Sequence, residues 1–209
     1  MISNRVTKLP KGTTYNFVIG HLNSEIKEGY KVLETGCGAT LYRDVVKSLE
    51  AIYIGTDVPN QHYGNLQTLD SFCSAENLPF ADGSIDIVFN QGAIDYMPDL
   101  PATLQDAYRV LAPGGKMIIY TYRKDILEMI HENVMATARD WELQHHVFST
   151  QELLDHLAQA GFRAKDVSFE LKSWEPGYNI QRISEIAGIY SFFNRQRTRW
   201  RVFVADKLV

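Results

Sequence analysis

The segment Val32-Leu-Glu-Thr-Gly-Cys-Gly-Ala39 limits the possible folds more than any other part of this chain. A β-branched and apolar run ends at the acidic Glu34, and Gly36 and Gly38 follow one residue apart, ahead of a segment with helical spacing. Glycine lets bare backbone approach a ligand, and the helix that follows points its free N–H groups at an anionic group. The segment therefore predicts a strand, a glycine turn and a helix that together hold a nucleotide-type cofactor.

Beyond this segment, predicted strands alternate with predicted helices. Strands are predicted at 31–35, 52–55, 85–90, 116–121, 167–171 and 200–205. Helices are predicted at 15–28, 39–49, 100–111, 123–139 and 149–161, the last opened by a capping box at Ser149 and Glu152. Leu41 falls on the apolar face of the 39–49 helix, whereas 58–69 has no helical periodicity. This alternation predicts an α/β fold with a mostly parallel sheet that binds ligands beyond the carboxyl ends of its strands.

Composition narrows the class of protein. The 209 residues are 45% apolar, enough for one domain with a sizeable core, and a formal net charge of −4 argues against a dedicated nucleic-acid binder. The two cysteines, Cys37 and Cys73, form no disulfide framework and suit a reducing compartment. Because the sequence shows neither an apolar leader nor a run of about 18 apolar residues, we expect a cytoplasmic protein without a membrane segment.

A carboxylate follows the glycine turn at a distance that suits ribose binding. Asp57 ends the second predicted strand about twenty residues beyond the glycines, where a carboxylate can accept both ribose hydroxyls in dinucleotide and adenosyl sites alike. A dinucleotide fingerprint requires a third small residue where this chain has Leu41, so the match to a nicotinamide or flavin site is incomplete. These two features alone leave both kinds of cofactor open.

Two later segments add a more specific pattern. Ala75-Glu-Asn-Leu-Pro-Phe-Ala-Asp-Gly-Ser-Ile-Asp-Ile-Val-Phe89 and Tyr108-Arg-Val-Leu-Ala-Pro-Gly-Gly115, taken in order with the glycine turn and Gly-Thr-Asp57, resemble class I S-adenosylmethionine-dependent methyltransferases. The resemblance covers roughly residues 31–121. It implies a Rossmann-like three-layer sandwich whose seven-stranded, mostly parallel sheet has an antiparallel last strand between the fifth and sixth. It also implies S-adenosylmethionine as the cofactor.

The resemblance assigns a set of residues to this cofactor. Different members of the set are expected to lie under the methionine and ribose, to bind the ribose hydroxyls, to flank the adenine and to face the methionyl amine. The residues are Glu34, Gly36, Cys37, Gly38, Asp57, Ser74, Ala75, Glu76, Asn90 and Gln91. Relatives often have glycine where this chain has Thr40, and an adenine-binding aspartate where it has Ser74. The Thr40 side chain is therefore expected to narrow the turn or cap the helix, and the adenine contact to be weaker.

Other parts of the pattern are expected to be structural. The Pro113-Gly-Gly115 segment is expected to form a turn that leads into the next strand, because glycine and proline supply backbone conformations and no chemistry. Asp82 and Asp86 are expected to act as structural hydrogen-bond acceptors.

Candidates for proton removal come from segments that the resemblance places near the acceptor. His146 and His145 precede the capping box, and histidine suits proton removal near neutral pH, although loop histidines commonly only bond a neighbouring backbone. Asp95 and Tyr96 are second candidates, and capping of the adjoining chain is the simpler role for Asp95. No Cys or His cluster has metal-ligand spacing, so no metal site is predicted.

We interpret residues 1–209 as a single methyltransferase domain. Residues 1–30 are expected to form an N-terminal helical lid, 31–121 the cofactor-binding core, and 122–149 and 172–199 acceptor-side segments. Aromatic residues of the last segment suit an apolar or ring-bearing acceptor, and packing of that segment onto the sheet explains them equally well: Trp174, Tyr178, Tyr190, Phe192 and Phe193. Alternating arginines could receive an anionic acceptor or an acidic carrier protein, although a solvated strand face is the simpler explanation: Arg195, Arg197, Arg199 and Arg201.

The sequence thus predicts transfer of a methyl group from S-adenosylmethionine to a small-molecule acceptor, with oxygen favoured over nitrogen. Two other functions stay open. One is a non-catalytic S-adenosylmethionine-binding protein that regulates or binds a partner. The other is an NAD(P)-dependent oxidoreductase, against which Leu41 and the 75–89 segment count.

Overall fold

The structure, a computed structural model, describes residues 14–58, 69–122, 146, 148–168 and 200–209. The strands in these ranges are β1 (Lys31–Thr35), β2 (Ile52–Asp57), β3 (Ser71–Phe72), β4 (Ile85–Gln91), β5 (Leu111–Tyr122), β6 (Arg163–Asp166) and β7 (Trp200–Asp206). The helices are α1 (Thr14–Glu25), α2 (Arg43–Ser48), α3 (Leu100–Val110) and α4 (Thr150–Gln159), and a short 3₁₀ turn spans Ile94–Tyr96.

The strands form one sheet in the order β3-β2-β1-β4-β5-β7-β6. The pairs from β3 to β5 are parallel, and β7 runs antiparallel to both β5 and β6. The strand order reverses between β1 and β4, so their carboxyl ends flank the crevice in which sheets of this kind bind ligands. The predicted Rossmann-like fold, with a mostly parallel seven-stranded sheet and an antiparallel last strand, is confirmed.

Helices cover both faces of the sheet. On one face α3 and α4 pack against the central strands, with Leu104 and Leu33 in the same apolar cluster. On the other face α1 and α2 pack, with Leu22 and Val32 in a second cluster. Because successive residues of a strand point to opposite faces, β1 contributes Val32 to one layer and Leu33 to the other.

Polar contacts as well as apolar ones tie α1 to the sheet. His21 Nδ1 lies 2.7 Å from the Tyr120 hydroxyl, and Lys116 Nζ donates to Glu25 Oε2 at 2.5 Å. The His21 ring and the Lys116 ammonium lower the pKa of Glu25 to about 2. The helix predicted at 15–28 therefore forms, although it ends at Glu25.

The capping box predicted for α4 is confirmed. The Ser149 hydroxyl accepts from the Glu152 N–H at 3.2 Å, and the Glu152 carboxylate accepts from the Ser149 N–H at 2.7 Å. These two bonds satisfy N–H groups that have no partner within the helix. Gly161, at φ +99°, follows the helix as predicted.

The helix predicted at 39–49 is wrong in its first turn, since α2 begins only at Arg43. Thr40 has a φ of +52°, a left-handed conformation that a right-handed helix does not contain. The shift changes which side chain is buried. Leu41, expected on the apolar face, is 59% exposed, and the neighbouring Tyr42 is buried in its place.

The sixth strand and the glycine pair after α3 also differ from expectation. The strand predicted at 167–171 does not form at Val167 and Ser168, and 169–171 lie outside the described residues; β6 begins earlier, at Arg163 directly after the buried Phe162, and ends at Asp166. Its partly exposed, polar residues hide the alternation that identifies a strand.

The turn expected at 113–115 is instead a bulge inside β5. Ile85 pairs with Leu111 and Ile87 with Lys116, so the longer segment of β5 bulges out between these pairs. A Cβ at Gly115 would lie 2.9 Å from the carbonyl oxygens of both Ala112 and Asp86, which explains a glycine there.

The structural roles predicted for two aspartates are confirmed. Asp86 accepts from the Lys31 N–H at 2.8 Å, and Asp82 accepts from Arg109 at 2.8 Å. Other predictions lie outside the described residues: the helix at 123–139, the absence of helical periodicity through 59–68, residue His145, and the segments 1–13 and 172–199. Of the helices in the described ranges, none has the length and apolar character needed to span a membrane.

Candidate functional site

The glycine turn after β1 exposes bare backbone at the centre of the sheet. Gly36 and Gly38 have φ values of +68° and +48°. A Cβ built at Gly36 would overlap the Cβ of Ala93, which belongs to the segment after β4. Position 36 therefore requires glycine for two independent reasons, and the ends of the two central strands are in direct contact.

Cys37 and Thr40 complete the turn. The Cys37 N–H donates to the Thr56 carbonyl at 3.1 Å, and the Thr40 N–H donates to the Cys37 carbonyl at 2.8 Å. Burial raises the pKa of the Cys37 thiol, so this side chain is a neutral packing group. Tyr42 is the N-cap residue of α2, and no side chain forms a capping hydrogen bond there, so Thr40 does not cap the helix.

Asp57 is held against the glycine turn. Its Oδ2 accepts from the Gly38 N–H at 2.7 Å, and its Oδ1 accepts from the Val58 N–H at 2.8 Å. The side chain is nearly buried, at the carboxyl end of β2 next to β1. An ionised carboxylate has about four acceptor positions, so these two bonds leave capacity for the two hydroxyls of a ribose.

Glu34 lies behind the turn, in a pocket shared with Tyr53. The Tyr53 hydroxyl donates to Glu34 Oε2. Gly55, in register with Glu34, makes room for this pair, because a Cβ there would lie 2.9 Å from the Tyr53 ring and 3.0 Å from Cys37 Sγ. Burial raises the pKa of Glu34 to about 8, although the Tyr53 hydroxyl opposes the shift. At neutral pH Glu34 is therefore a neutral carboxylic acid that supports the turn from below.

A second polar cluster, formed by Arg43 and Asp70, stabilises β2 beside Glu34 and Tyr53. The guanidinium of Arg43 binds both carboxylate oxygens of Asp70, at 3.1 and 2.8 Å, and lies 4.7 Å from the centre of the Tyr53 ring. Asp70 also accepts from the Gly55 N–H at 2.8 Å. The sequence pattern does not indicate Tyr53, Arg43 and Asp70, because their contacts join positions far apart along the chain.

The predicted adenine-side residues follow β3. The Cys73 N–H donates to the Asp57 carbonyl at 3.1 Å, which brings Ser74 and Ala75 beside the end of β2. Glu76 accepts from the Asp99 N–H at 3.3 Å and so connects this segment to the start of α3.

One apolar residue of this region was missed. Val58 directly follows Asp57 and is 44% exposed, an apolar side chain at the rim of the crevice. The sequence could have indicated Val58, because Val58 directly follows Asp57, which is predicted to bind the ribose.

The buried side chain of Asn90 links the carboxyl ends of β1 and β4 by hydrogen bonds. Its amide nitrogen donates to the carbonyl and hydroxyl oxygens of Thr35, both at 3.1 Å, and its amide oxygen accepts from the Ala93 N–H at 3.2 Å. The side chain is fully buried, whereas Gln91, one residue on, is partly exposed. Asn90 thus holds the glycine turn and the segment after β4 in one arrangement, and the side chain of Gln91 is the more accessible of the two.

Asp95 and His146 come together beyond β4 and β5. Both carboxylate oxygens of Asp95 lie 2.9 Å from the Thr121 hydroxyl, and the Asp95 carbonyl accepts from the His146 N–H at 3.0 Å. The His146 ring stacks on Phe148, with centroids 5.3 Å apart. The capping role expected for Asp95 is wrong, because no side chain caps the 3₁₀ turn and the carboxyl group binds Thr121 instead.

The arrangement offers a cradle for a cofactor with a sugar and an anionic or zwitterionic end. Bare backbone and Asp57 lie at the ends of β1 and β2, and an apolar rim at Val58 lies beside them. Asp95 and His146 lie on the other side, past β4. Within the described ranges, no group of three His, Cys, Asp or Glu side chains could hold a metal ion.

Comparison with known proteins identifies the central segment. Residues 33–119 match the methyltransferase domain family. Over 85 residues the chain is 35% identical to a malonyl-[acyl-carrier protein] O-methyltransferase of Coxiella burnetii, covering 41% of this chain and 29% of that protein. Over 159 residues it is 25% identical to a ubiquinone biosynthesis O-methyltransferase of Parvibaculum lavamentivorans, covering 68% and 62%. The chain thus spans less than two thirds of these relatives.

A solved structure shows the same fold over nearly the whole chain. The phosphoethanolamine N-methyltransferase 2 of Haemonchus contortus, in complex with phosphomonomethylethanolamine and S-adenosylhomocysteine, superposes with a TM-score of 0.63. The match covers 96% of this chain and 54% of that one at 19% identity. Identity this low supports the fold alone.

Proposed function

We propose that residues 33–119, which match the methyltransferase domain family, form a class I S-adenosylmethionine-dependent domain, and that the protein methylates a small-molecule acceptor at oxygen rather than nitrogen. The contact between the ends of two central strands carries the proposal. The Gly36–Gly38 turn after β1 is closed by the hydrogen bond from the Gly38 N–H to Asp57, and it lies against the segment after β4. The bare backbone and the Asp57 carboxylate suit the methionine and ribose parts of an adenosyl donor.

The donor-binding roles follow from the positions of the residues. The Asp57 carboxylate accepts the ribose hydroxyls, and the backbone at Gly36, Cys37 and Gly38 lies under the ribose and methionine parts. Val58 with Ser74, Ala75 and Glu76 flanks the adenine, since the Cys73 N–H bonds the Asp57 carbonyl and aligns this segment with β2. Glu34 and Asn90 support these groups from behind, and Gln91 faces the methionyl amine.

Methyl transfer from a sulfonium makes modest demands on the protein. The reaction is an in-line displacement with an activated leaving group, so the site must align the acceptor, exclude water and, where the nucleophile carries a proton, accept that proton. The side chains of His146 and Asp95, past the end of β4, are the described groups for that last role. The proposed acceptor side of the site also includes His145 and the segments 122–149 and 172–199.

Support for oxygen as the methylated atom comes from two relatives named as O-methyltransferases, of malonyl-[acyl-carrier protein] and in ubiquinone biosynthesis. Two other relatives are named as sterol C-methyltransferases. The malonyl relative's name also supports an acyl carrier protein as a partner. Of the four alternating arginines that such a partner would contact, Arg201 lies in the described ranges, and its Nη1 lies 3.2 Å from Asp166 Oδ2.

A transfer assay tests the proposal. The protein is incubated with methyl-tritiated S-adenosylmethionine and a panel of phenols, amines and a malonyl-loaded carrier protein, and the label in each product is counted. Label in an oxygen-methylated small molecule supports the proposal. Donor binding without transfer to any acceptor in the panel supports the non-catalytic binding protein instead.

A further inference from the structure

Asp95 lies at the end of the sheet where the proposed donor cradle is. It sits in the 3₁₀ turn that follows β4, two residues beyond Ala93, and Ala93 touches the glycine turn at Gly36. Thr121, its partner, is at the carboxyl end of β5. The carboxyl group therefore lies at the edge of the sheet where the donor cradle is, one strand further from the adenosine side.

The Asp95 carboxyl group is buried with little hydrogen bonding. Its side chain is 1% exposed, and in the described part of the chain the Thr121 hydroxyl is its one donor. A hydroxyl has a single proton to give, whereas a carboxylate has about four acceptor positions. Buried polar groups are nearly always bonded, so this carboxyl group has unused capacity to accept a hydrogen bond from a ligand.

Several other buried or half-buried aspartates in the described ranges accept hydrogen bonds from backbone N–H groups. Asp57 accepts from two backbone N–H groups, and Asp86 and Asp106 accept from those of Lys31 and Leu78. Asp95 holds no backbone N–H through its carboxyl group. A structural explanation of the kind that fits the others does not fit this residue.

The segments next to Asp95 and Thr121 carry His146 and the ion pair of Arg201 with Asp166. The His146 N–H bonds the Asp95 carbonyl, which brings that residue to the same turn. Arg201 on β7 lies in register with Thr121 and forms an ion pair with Asp166 on β6. Burial raises the pKa of Asp95 to about 6, against the lowering effect of the Thr121 hydroxyl. The group is therefore largely ionised at neutral pH and more basic than an ordinary carboxylate.

We propose that Asp95 accepts the proton of the acceptor and that the acceptor nucleophile is a hydroxyl group. This inference rests on the methyl transfer proposed above. An oxygen lone pair of the hydroxyl attacks the methyl carbon, the carbon–sulfur bond breaks with its electron pair going to sulfur, and the hydroxyl proton passes to the Asp95 carboxylate. The products are the methyl ether, neutral S-adenosylhomocysteine and a protonated Asp95 that later releases its proton to water.

The same residue disfavours a carboxylate acceptor. A carboxylate has no proton to lose, so it gains nothing from a base. It also carries negative charge, which the ionised Asp95 repels in a site of low dielectric constant. A hydroxyl, in contrast, donates the hydrogen bond for which Asp95 has capacity. The proposal therefore separates this chain from enzymes that methylate a free carboxylate, so the malonyl group named for one relative is not the acceptor expected here.

Three probe classes built on one ring test the acceptor class: catechol, phenol and benzyl alcohol as hydroxyls, benzylamine as an amine and benzoate as a carboxylate. Transfer from methyl-tritiated S-adenosylmethionine is measured for each with the whole protein. We expect label in at least one hydroxyl probe and none in benzoate. Label only in benzoate or benzylamine, or no label in any hydroxyl probe from protein that binds the donor, overturns the inference. Failure to bind S-adenosylmethionine at all contradicts the proposed function itself.

Variants test the role of the residue with the hydroxyl probe that is methylated. Asp95→Asn keeps an oxygen that can accept from Thr121, so the fold is preserved, and we expect kcat to fall by about 100-fold or more with donor affinity unchanged. Thr121→Val removes the bond that lowers the pKa of Asp95, so the acidic limb of the rate–pH profile moves to higher pH. A residue with a purely structural role would not move that limb. Asp82→Asn, a change of the same kind on an 80% exposed side chain, is the control.

His146→Gln completes the set, because His146 is the residue that the sequence favours as the base. We expect this variant to retain the acidic limb of the rate–pH profile at its original position. If His146→Gln removes the limb while Asp95→Asn retains it, proton removal belongs to His146 and the inference about Asp95 is wrong. If Asp95→Asn retains full turnover, no proton passes to Asp95.

Discussion

Ala93 lies so close to Gly36 that a β carbon at position 36 would overlap its own. The contact joins the turn after β1 to the segment after β4, and Asn90 reinforces it by bonding Thr35 on one side and the Ala93 N–H on the other. The proposed donor cradle and the turn that carries Asp95 are therefore built as one piece. A change at this contact is expected to disturb both.

Gly36→Ala tests this coupling. The variant combines a φ of +68° with the overlap at Ala93, and we expect a loss of about 2–4 kcal/mol in the free energy of unfolding, measured in urea, with loss of donor binding. Adding Ala93→Gly removes the overlap and leaves only the backbone cost, about 1–2 kcal/mol. A double variant that is no more stable than Gly36→Ala would show that the overlap at Ala93 is not the cause.

Gly29→Ala is the matched control for that experiment. Gly29 has a φ of +77°, and a Cβ there would meet nothing within 4 Å. It should therefore cost only the backbone contribution, about 1–2 kcal/mol, and leave donor affinity unchanged. A loss equal to that of Gly36→Ala would remove the steric argument.

Asp57→Ala should weaken the binding of S-adenosylmethionine by about 1.5–3 kcal/mol, because it removes charge-assisted hydrogen bonds to the ribose hydroxyls. It also removes the acceptor for the Gly38 N–H. Asp57→Asn separates the two effects, since its amide oxygen still accepts from Gly38 but carries no charge. Calorimetric titration measures both. Wild-type affinity in a folded Asp57→Ala protein contradicts the ribose assignment.

Glu34 should make the protein less stable at alkaline pH. Its folded pKa of about 8 lies above the unfolded value of 4.5, so the folded state holds the proton more tightly and stability falls as pH rises between these values. Glu34 lowers the free energy of unfolding by at most about 1.4 kcal/mol per pH unit. Glu34→Gln, which cannot ionise, should lack this loss between about pH 5 and pH 8. If the free energy of unfolding changes with pH in the same way in both proteins, Glu34 is ionised throughout.

Glu25 should act in the opposite direction at acidic pH. Its folded pKa of about 2 lies below 4.5, so its contribution is complete above 4.5 and is lost as pH falls toward 2. Glu25→Gln should lower stability at neutral pH by about 1–2 kcal/mol and flatten this acidic loss, as measured by thermal unfolding. If the variant loses stability in acid as steeply as the wild type, the contact between α1 and Lys116 contributes nothing.

Much of the fold could be predicted because its signals are local. The bounds of β1 and the two bonds of the α4 capping box depend on neighbouring residues, and they agree with the structure. The first turn of α2 failed because the spacing of apolar residues from Leu41 suggested a helix, whereas the glycine turn continues through Thr40. β6 was not predicted, because a polar edge strand lacks the apolar alternation that identifies a strand.

The site was predictable only in part for a related reason. Gly36, Gly38 and Asp57 lie at recognisable spacings, so the sequence indicates them directly. Tyr53 and Thr121 were missed, because their roles come from contacts with Glu34 and Asp95 that only the folded sheet creates. A buried carboxyl group and its partner are set by three-dimensional packing rather than by sequence spacing.

Isothermal titration of the purified protein with S-adenosylmethionine, S-adenosylhomocysteine and NAD⁺ in parallel tests the central claim most directly. We predict that the two adenosyl ligands bind at one site with affinities of roughly micromolar order and that NAD⁺ gives no heat of binding. Binding of NAD⁺ alone would contradict the account of the glycine turn and Asp57 as an adenosylmethionine site.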